Sequence, residues 1–463
     1  MAAVVGARTV LRETLGAKLR RLARAAEGNN PLDRPPLRAA AAWQPSTAYK
    51  LGQAVRNGGR TYVCCTNGIS ASSGGPAAST TGDATSDGTS AWTLLGGLDA
   101  IADDPFAPTL TISGADPGGI SWQPAPSANN YRLYGAYPVG GGDWVPTVFS
   151  NSGSTVAKGR GSAVGFVTDA PVVTIVYASD SPGLSFSIDG RFFQTGATPI
   201  TSGTQYLTLD FTAAGGRRER SVRIYGGKDD GNFRGVKLGA ADYLVAPPTA
   251  DDVRVAAIGD SIWAGSNYGP FLPGRTVPTI LGMLLGWSDV WNFTEGGTGL
   301  NASAGGTKYT FGQRVAEARS RSPDLWLVGA TGNDKGDSAA MIQAAAVTLL
   351  QAIRAGSSTA PVIVSGIPMS RIAGDYSSIL AAETAWAAAV AQFADPGVSF
   401  IPVTSDPAMP WITGTWSNGV KSGLANAASL IGGDNVHPVD AGTHALARRL
   451  AREIRTRVLP ALR

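Results

Sequence analysis

Histidine and cysteine are the scarcest chemistry-bearing residues of this 463-residue chain, at two each. The cysteines, Cys64 and Cys65, are adjacent. Adjacent cysteines bridge only with strain, so a disulfide framework is excluded, and no Cys/His spacing suits zinc. His437 and His444 alone do not make a metal site, and nothing calls for an organic cofactor. No apolar run approaches the roughly 18 residues that span a bilayer. The first residues lack the apolar core and cleavage site of a secretory signal, so export by the usual route is not expected. Charged residues make up only 16% of the chain.

Glycine (60) and proline (29) are plentiful, which suits turn-rich β domains better than a helical bundle. At 43% hydrophobic the chain is globular. Its length implies about three folded units at roughly 150 residues each. The net charge of +4 is uneven, because residues 1–60 hold eleven Lys/Arg against three acids. That basic arm is not spaced like a nucleic-acid module and reads as a solvated helix face.

Four segments follow. Residues 1–40 contain a helix at 7–27, where Leu11, Leu15, Leu19 and Leu22 form one apolar stripe that needs a partner. The partner is a second copy, another protein or a later domain. Residues 41–99 are a small β module with NGG turns and the aromatics Trp43, Tyr49, Tyr62 and Trp92. Residues 100–247 alternate apolar and polar residues in short runs, as in a β-sandwich. Residues 248–463 alternate strand-length apolar runs with Ala-rich helical segments. That pattern predicts an α/β three-layer sandwich on a parallel, flavodoxin-like sheet, with its site at the carboxyl ends of the strands.

The chemistry concentrates in this last segment. The first predicted strand, Val253–Ile258, runs into GDS, where Gly259 permits a tight turn and Ser261 exposes its hydroxyl. A helix directly after it would add positive partial charge. A serine hydroxyl needs a base, and His437 is the candidate. Asp434, three residues earlier, is close enough to fix the imidazole tautomer, with Asp440 as the alternative. His444 falls within the last helix as a surface or packing residue. An acyl-transfer oxyanion needs donors. The Ser261 N–H, a glycine N–H in NFTEGGTG and the Asn333 amide in GATGND supply three from three strand ends. Trp411 and Trp416, in the long stretch before Asp434, and Trp263 are expected to wall the substrate pocket.

The blocks GDS, glycine, GND and D-x-x-H, in that order over about 210 residues, resemble the SGNH/GDSL hydrolase family. The resemblance implies Ser261 as nucleophile, Gly297 and Asn333 completing the oxyanion hole, Asp434 as orienter and His437 as base. The pattern W-x5-Y-x2-G-x2-V-x3-G-x2-Y, followed by DGT-x2-W, resembles small chitin-binding-type carbohydrate-binding modules, which recur in phage tail fibres and spikes. It implies sugar stacking on Trp43, Tyr49 and Tyr62, while Trp92 reads as core. The layout of 100–247 ahead of GDS resembles the jelly-roll domain of two-domain carbohydrate esterases.

Together these imply a serine esterase, foremost a carbohydrate O-deacetylase acting on acylated bacterial surface polysaccharide from a phage or phage-like particle. The basic helix would attach it to other virion proteins or build a homo-oligomer. Virion spikes are commonly trimers, though nothing here fixes three. A general lipase or esterase and a non-enzymatic glycan-binding virion protein are the alternatives. Neither a nucleic-acid partner nor a membrane span is expected.

Overall fold

A computed structural model of the chain describes residues 13–27, 36–79, 84–96, 104–118, 121–124, 130–138, 147–148, 162–179, 183–201, 203–226, 231–249, 252–265, 272–355, 359–368, 370–372, 375–408, 411–413 and 426–462. The chain is multidomain, with antiparallel β structure ahead of a parallel-sheet α/β domain.

The small module is a sheet in which Ala54–Asn57, Arg60–Thr66, Ser90–Gly96 and Ala84–Asp87 pair antiparallel, with Ala41–Ala42 added in parallel at one edge. Asn57 and Arg60 flank a two-glycine turn, Gly58 and Gly59, both at positive φ. Tyr49, Val55, Tyr62, Cys64, Trp92 and Leu94 form the core. The Trp43 and Trp92 indole N–H groups both donate to Asp87 Oδ2, at 2.7 and 3.1 Å. The expected sugar-stacking rings are therefore largely spent on folding. Tyr62 is 1% exposed, Tyr49 is 8% exposed and packs edge-on to Trp92, and only Trp43 is half-buried. A module this small has few other large side chains with which to fill a core. Both cysteines are free, and burial pushes the Cys64 thiol up to about 11.

Two antiparallel sheets follow. One orders Thr109–Ser113, Thr204–Asp210, Val172–Ser179, Gly231–Leu238 and Ser121–Pro124. The other orders Arg132–Tyr134, Ala163–Thr168, Arg220–Tyr225, Ser185–Ile188 and Arg191–Phe192, with Leu244–Val245 also pairing Ala163–Thr168. Alternate residues of both sheets meet in one core. Val164, Phe166, Val222 and Ile224 face Val173, Ile175, Leu207 and Leu209 there, which makes a β-sandwich.

The C-terminal sheet is parallel throughout. Its five strands, in chain order, are Arg254–Gly259, Asp289–Thr294, Leu325–Gly329, Val362–Ser365 and Val398–Ile401. In space they run second, first, third, fourth, fifth. Helices Phe311–Ser320, Ala339–Arg354 and Asp375–Phe393 cover one face, and Val277–Leu285 and Asp440–Glu453 the other. Local chemistry sets several ends. Thr276 caps Val277–Leu285 by accepting from the Thr279 N–H, and Gly286 closes it at φ +70°. Ser338 caps Ala339–Arg354. The last helix passes into a π turn at Ile454–Val458.

The N-terminal helix is described from Leu15 to Glu27. Its stripe meets a later domain of its own chain. Leu19 and Leu22 are buried in the same cluster as Ile280, Leu281, Leu284 and Leu450. Arg20 donates to the carbonyls of Leu459 and Leu462 at 2.9 and 2.6 Å, and Lys18 to that of Asp252 at 2.7 Å. This part of the helix does not offer its leucines to a virion partner or a second copy, because burying them here removes that apolar area from water. Leu11 lies outside the described residues. No helix among the described residues is long and apolar enough to cross a membrane.

Candidate active site

The strand order places the chain's reversal at the first strand, with the second strand on one side and the third on the other. In open parallel sheets the crevice for a ligand forms there, beyond the carboxyl ends. Ser261 follows the first strand, the 295–298 loop follows the second, and Asn333 follows the third.

Ser261 sits on a turn spanning 261–265. Among the described residues no helix follows it directly, and the next described one is Val277–Leu285. The turn is held by Asp260. Its carbonyl accepts from the Ala264 N–H at 2.9 Å and its Oδ1 from the Ile262 N–H at 3.0 Å. Thr331 Oγ1 donates to Asp260 Oδ2 at 2.8 Å, which ties the first strand end to the third. Burial outweighs these bonds and pushes the Asp260 carboxyl above the usual carboxylate range.

The Ser261 hydroxyl lies 3.0 Å from His437 Nε2. The other ring nitrogen, Nδ1, lies 2.6 Å from Asp434 Oδ2. Asp434 Oδ1 accepts the backbone N–H groups of Val436 and His437, both at 3.0 Å. Burial works against the Asp434 charge, but these donors and His437 hold its carboxyl below the usual range. A backbone bridge between Ile431 and Pro438 and a bond from the Gly432 N–H to the His437 carbonyl close the loop. Asp440, the alternative orienter, is engaged elsewhere by Arg275 at 2.8 Å and by His444.

Gly297 has φ +73°, a conformation that favours glycine. Neither its N–H nor that of Ser261 donates to another described residue. Asn333 Nδ2 donates to the Thr298 carbonyl at 2.9 Å, next to Gly297, and leaves its second amide hydrogen for another acceptor. The Asn333 N–H donates to Thr331 Oγ1 at 3.0 Å. All three expected donors thus stand on loops tied to one another.

Two tying residues escaped sequence reasoning. Arg314, with no exposed surface, donates to the carbonyls of Gly259 and Phe293 and to Thr298 Oγ1, at 3.1, 2.5 and 2.7 Å. Burial lowers it to about 10, and Glu295 and Asp260 favour its charge. Asp334, the acid of GND, accepts the N–H groups of Leu300, Asn301 and Ala302. A Cβ on Gly299 would come within 2.3 Å of that carboxylate, so glycine is required. An arginine within an amphipathic helix gives no sequence signal of burial.

The tryptophans correct an expectation. Trp263 is 1% exposed, and its indole lies where a Cβ on Gly329 would come within 2.0 Å. It fills the packing between strand ends and helices and does not wall a pocket. Trp411 is buried as well, donating to Asp406 Oδ2 at 2.8 Å under the Arg449 guanidinium. Large aromatics bury so much apolar area that core packing claims them first. Trp416 lies outside the described residues. Among the described residues no group of His, Cys, Asp and Glu could hold a metal ion.

This arrangement can activate a hydroxyl nucleophile and stabilise an oxyanion. The comparisons agree with that chemistry. Residues 257–445 match the GDSL-like Lipase/Acylhydrolase family. A search of curated protein sequences gives no match. Similar solved structures include a family two carbohydrate esterase from Cellvibrio japonicus, at TM-score 0.54 and 13% identity, covering 77% of this chain and 100% of the other. The salicylyl-acyltransferase SsfX3 from a tetracycline biosynthetic pathway has TM-score 0.52 and 16% identity over 73% and 98% of the two chains. The acetyl xylan esterase Est2A from Butyrivibrio proteoclasticus has TM-score 0.51 and 16% identity over 75% and 100%. At such identities the likeness is one of fold. Residues 257–445 are a GDSL/SGNH lipase-acylhydrolase domain, and the chain that carries it is a serine hydrolase of the esterase class.

Proposed function

We propose that the chain hydrolyses O-acyl esters, foremost acetyl esters, on bacterial surface polysaccharide, with Ser261 as nucleophile. The observation that carries this is the continuous line from Ser261 Oγ through His437 to Asp434, at 3.0 and 2.6 Å. Ser261 Oγ attacks the ester carbonyl while His437 Nε2 takes its proton. The N–H groups of Ser261 and Gly297 and the Asn333 amide receive the oxyanion. Its collapse expels the sugar hydroxyl, protonated by His437, and leaves an acyl-serine. Water, deprotonated by His437, then releases the acid and restores Ser261. Asp434 holds the Nδ1–H throughout and stabilises the imidazolium.

The polysaccharide substrate is supported by the β modules ahead of the hydrolase domain and by the carbohydrate esterases that share its fold. Residence on a phage or phage-like particle rests on the resemblance of the 41–99 module to tail-fibre modules. Immunodetection of the chain on purified particles tests that part.

The test of the reaction is acetate release from O-acetylated capsule or lipopolysaccharide by wild type and Ser261→Ala. Release by wild type alone is expected. If wild type cleaves p-nitrophenyl acetate but no polysaccharide, the serine assignment stands and the glycan substrate falls. If it cleaves neither, the protein binds without catalysing.

A further inference from the structure

The β-sandwich docks on the hydrolase domain. Gly135 donates to Asp289 Oδ1 at 2.8 Å, and Arg132 pairs with Asp252. Between the two domains lies a cavity of about 250 Å³. Tyr134, Phe192, Arg223 and Tyr225 line it from the sandwich, and Met283 and Trp287 from the hydrolase. It opens beside the end of the Val277–Leu285 helix and the start of the Asp289–Thr294 strand. That is the amino-terminal edge of the parallel sheet, the edge opposite Ser261.

Its electrostatics are unbalanced. Three guanidiniums gather here, and two are neutralised, Arg132 by Asp252 and Arg254 by Asp289. Arg223 has no carboxylate partner among the described residues. Its hydrogen-bond partners are the phenols of Tyr225 and Tyr134, and its guanidinium carbon lies 3.8 Å from the centre of the Tyr134 ring. The Trp287 indole N–H is buried and has no hydrogen-bond partner among the described residues. Ser187, Ser221, Thr279 and Ser288 add hydroxyls to the lining.

A half-buried guanidinium without an anion, set among aromatic faces and hydroxyls, is the chemistry that recognises a carboxylate on a sugar ring. The guanidinium fork fits the carboxylate, rings stack on C–H faces, and the hydroxyls and indole N–H meet sugar hydroxyls. The volume is below the roughly 300–1,000 Å³ of drug-sized sites, so a single residue fits rather than an oligosaccharide. We infer that this interdomain cavity is a second, non-catalytic site that binds one uronic-acid residue of an acidic polysaccharide through Arg223. The site would hold the polymer on the enzyme at a point away from the ester being cleaved.

The test is calorimetric titration of the full chain with methyl β-D-glucuronide, methyl β-D-glucoside and sodium acetate. The glucuronide is expected to bind roughly tenfold or more tighter than either of the others. Arg223→Gln should abolish that preference. Ser221→Trp, which leaves Arg223 in place and blocks the exposed rim, should abolish binding. Both variants should hydrolyse p-nitrophenyl acetate at the wild-type rate, which also certifies their fold. Equal affinity for glucuronide and glucoside, no binding of the glucuronide, or an intact preference in Arg223→Gln would overturn the inference. None of these results bears on Ser261.

Discussion

Arg314 Nη1 donates to the carbonyl of Gly259, two residues ahead of Ser261, the proposed nucleophile, at 3.1 Å. The same guanidinium reaches Phe293 and Thr298, so one buried cation fixes the first strand end against the loop that carries Gly297. Replacing it leaves buried carbonyls without donors. Arg314→Met is expected to lower stability by about 2–4 kcal/mol and to reduce kcat on p-nitrophenyl acetate. Arg314→Lys should recover only part of both, since an ammonium cannot span the three acceptors as a planar fork does. Denaturant unfolding and kinetics check this, and a loss below about 1 kcal/mol would refute the role.

Asp434→Asn keeps the size of the orienter but disturbs the tautomer of His437. Its kcat on p-nitrophenyl acetate should fall by about 10³–10⁴-fold with the melting temperature little changed. A fall of less than tenfold would mean that another group orients the imidazole.

The Asp434 carboxyl is held below its ordinary value of 3.8 in the folded chain. Its ionised form therefore adds stability above that value, and the contribution disappears as pH falls through the lower folded pKa. The stability difference between wild type and Asp434→Asn should be flat between about pH 5 and 7 and shrink below about pH 4. A difference that grows on acidification contradicts the assignment.

Trp411 is a packing residue pinned by Asp406 and Arg449. Trp411→Ala should cost about 3–5 kcal/mol of stability. At a temperature where the variant remains folded, KM for a small ester should stay close to that of wild type. A large rise in KM without loss of stability would restore Trp411 as a wall of the substrate pocket.

Leu19 is fully buried against the hydrolase domain. Leu19→Ala should destabilise the chain by about 2–5 kcal/mol without changing its mass in solution by light scattering. A change of mass at unchanged stability would assign the helix to assembly instead.

The order of the catalytic blocks and the strand–helix alternation were legible in the sequence because both are written in local patterns. A glycine at a turn, an apolar run of strand length and a D-x-x-H spacing each act over a few residues. Boundaries followed closely: the strand read over Val253–Ile258 spans Arg254–Gly259, and the helix read to residue 27 ends at Glu27. The tryptophans and the module's tyrosines were read too functionally, because an aromatic's type is visible in sequence and its burial is not.

The sequence by itself singled out the candidates for the chemistry: two histidines left one candidate base, with an acid three residues away, and the structure brings both to Ser261. Only the tertiary structure decided what surrounds them. It assigned Asp260, Arg314 and Asp334 to holding the loops, turned the leucine stripe onto its own chain, and set Arg223 between two domains with phenols for partners and no carboxylate among the described residues. Each depends on contacts between residues tens to hundreds of positions apart, and no local pattern of residue types encodes which distant group fills a given space.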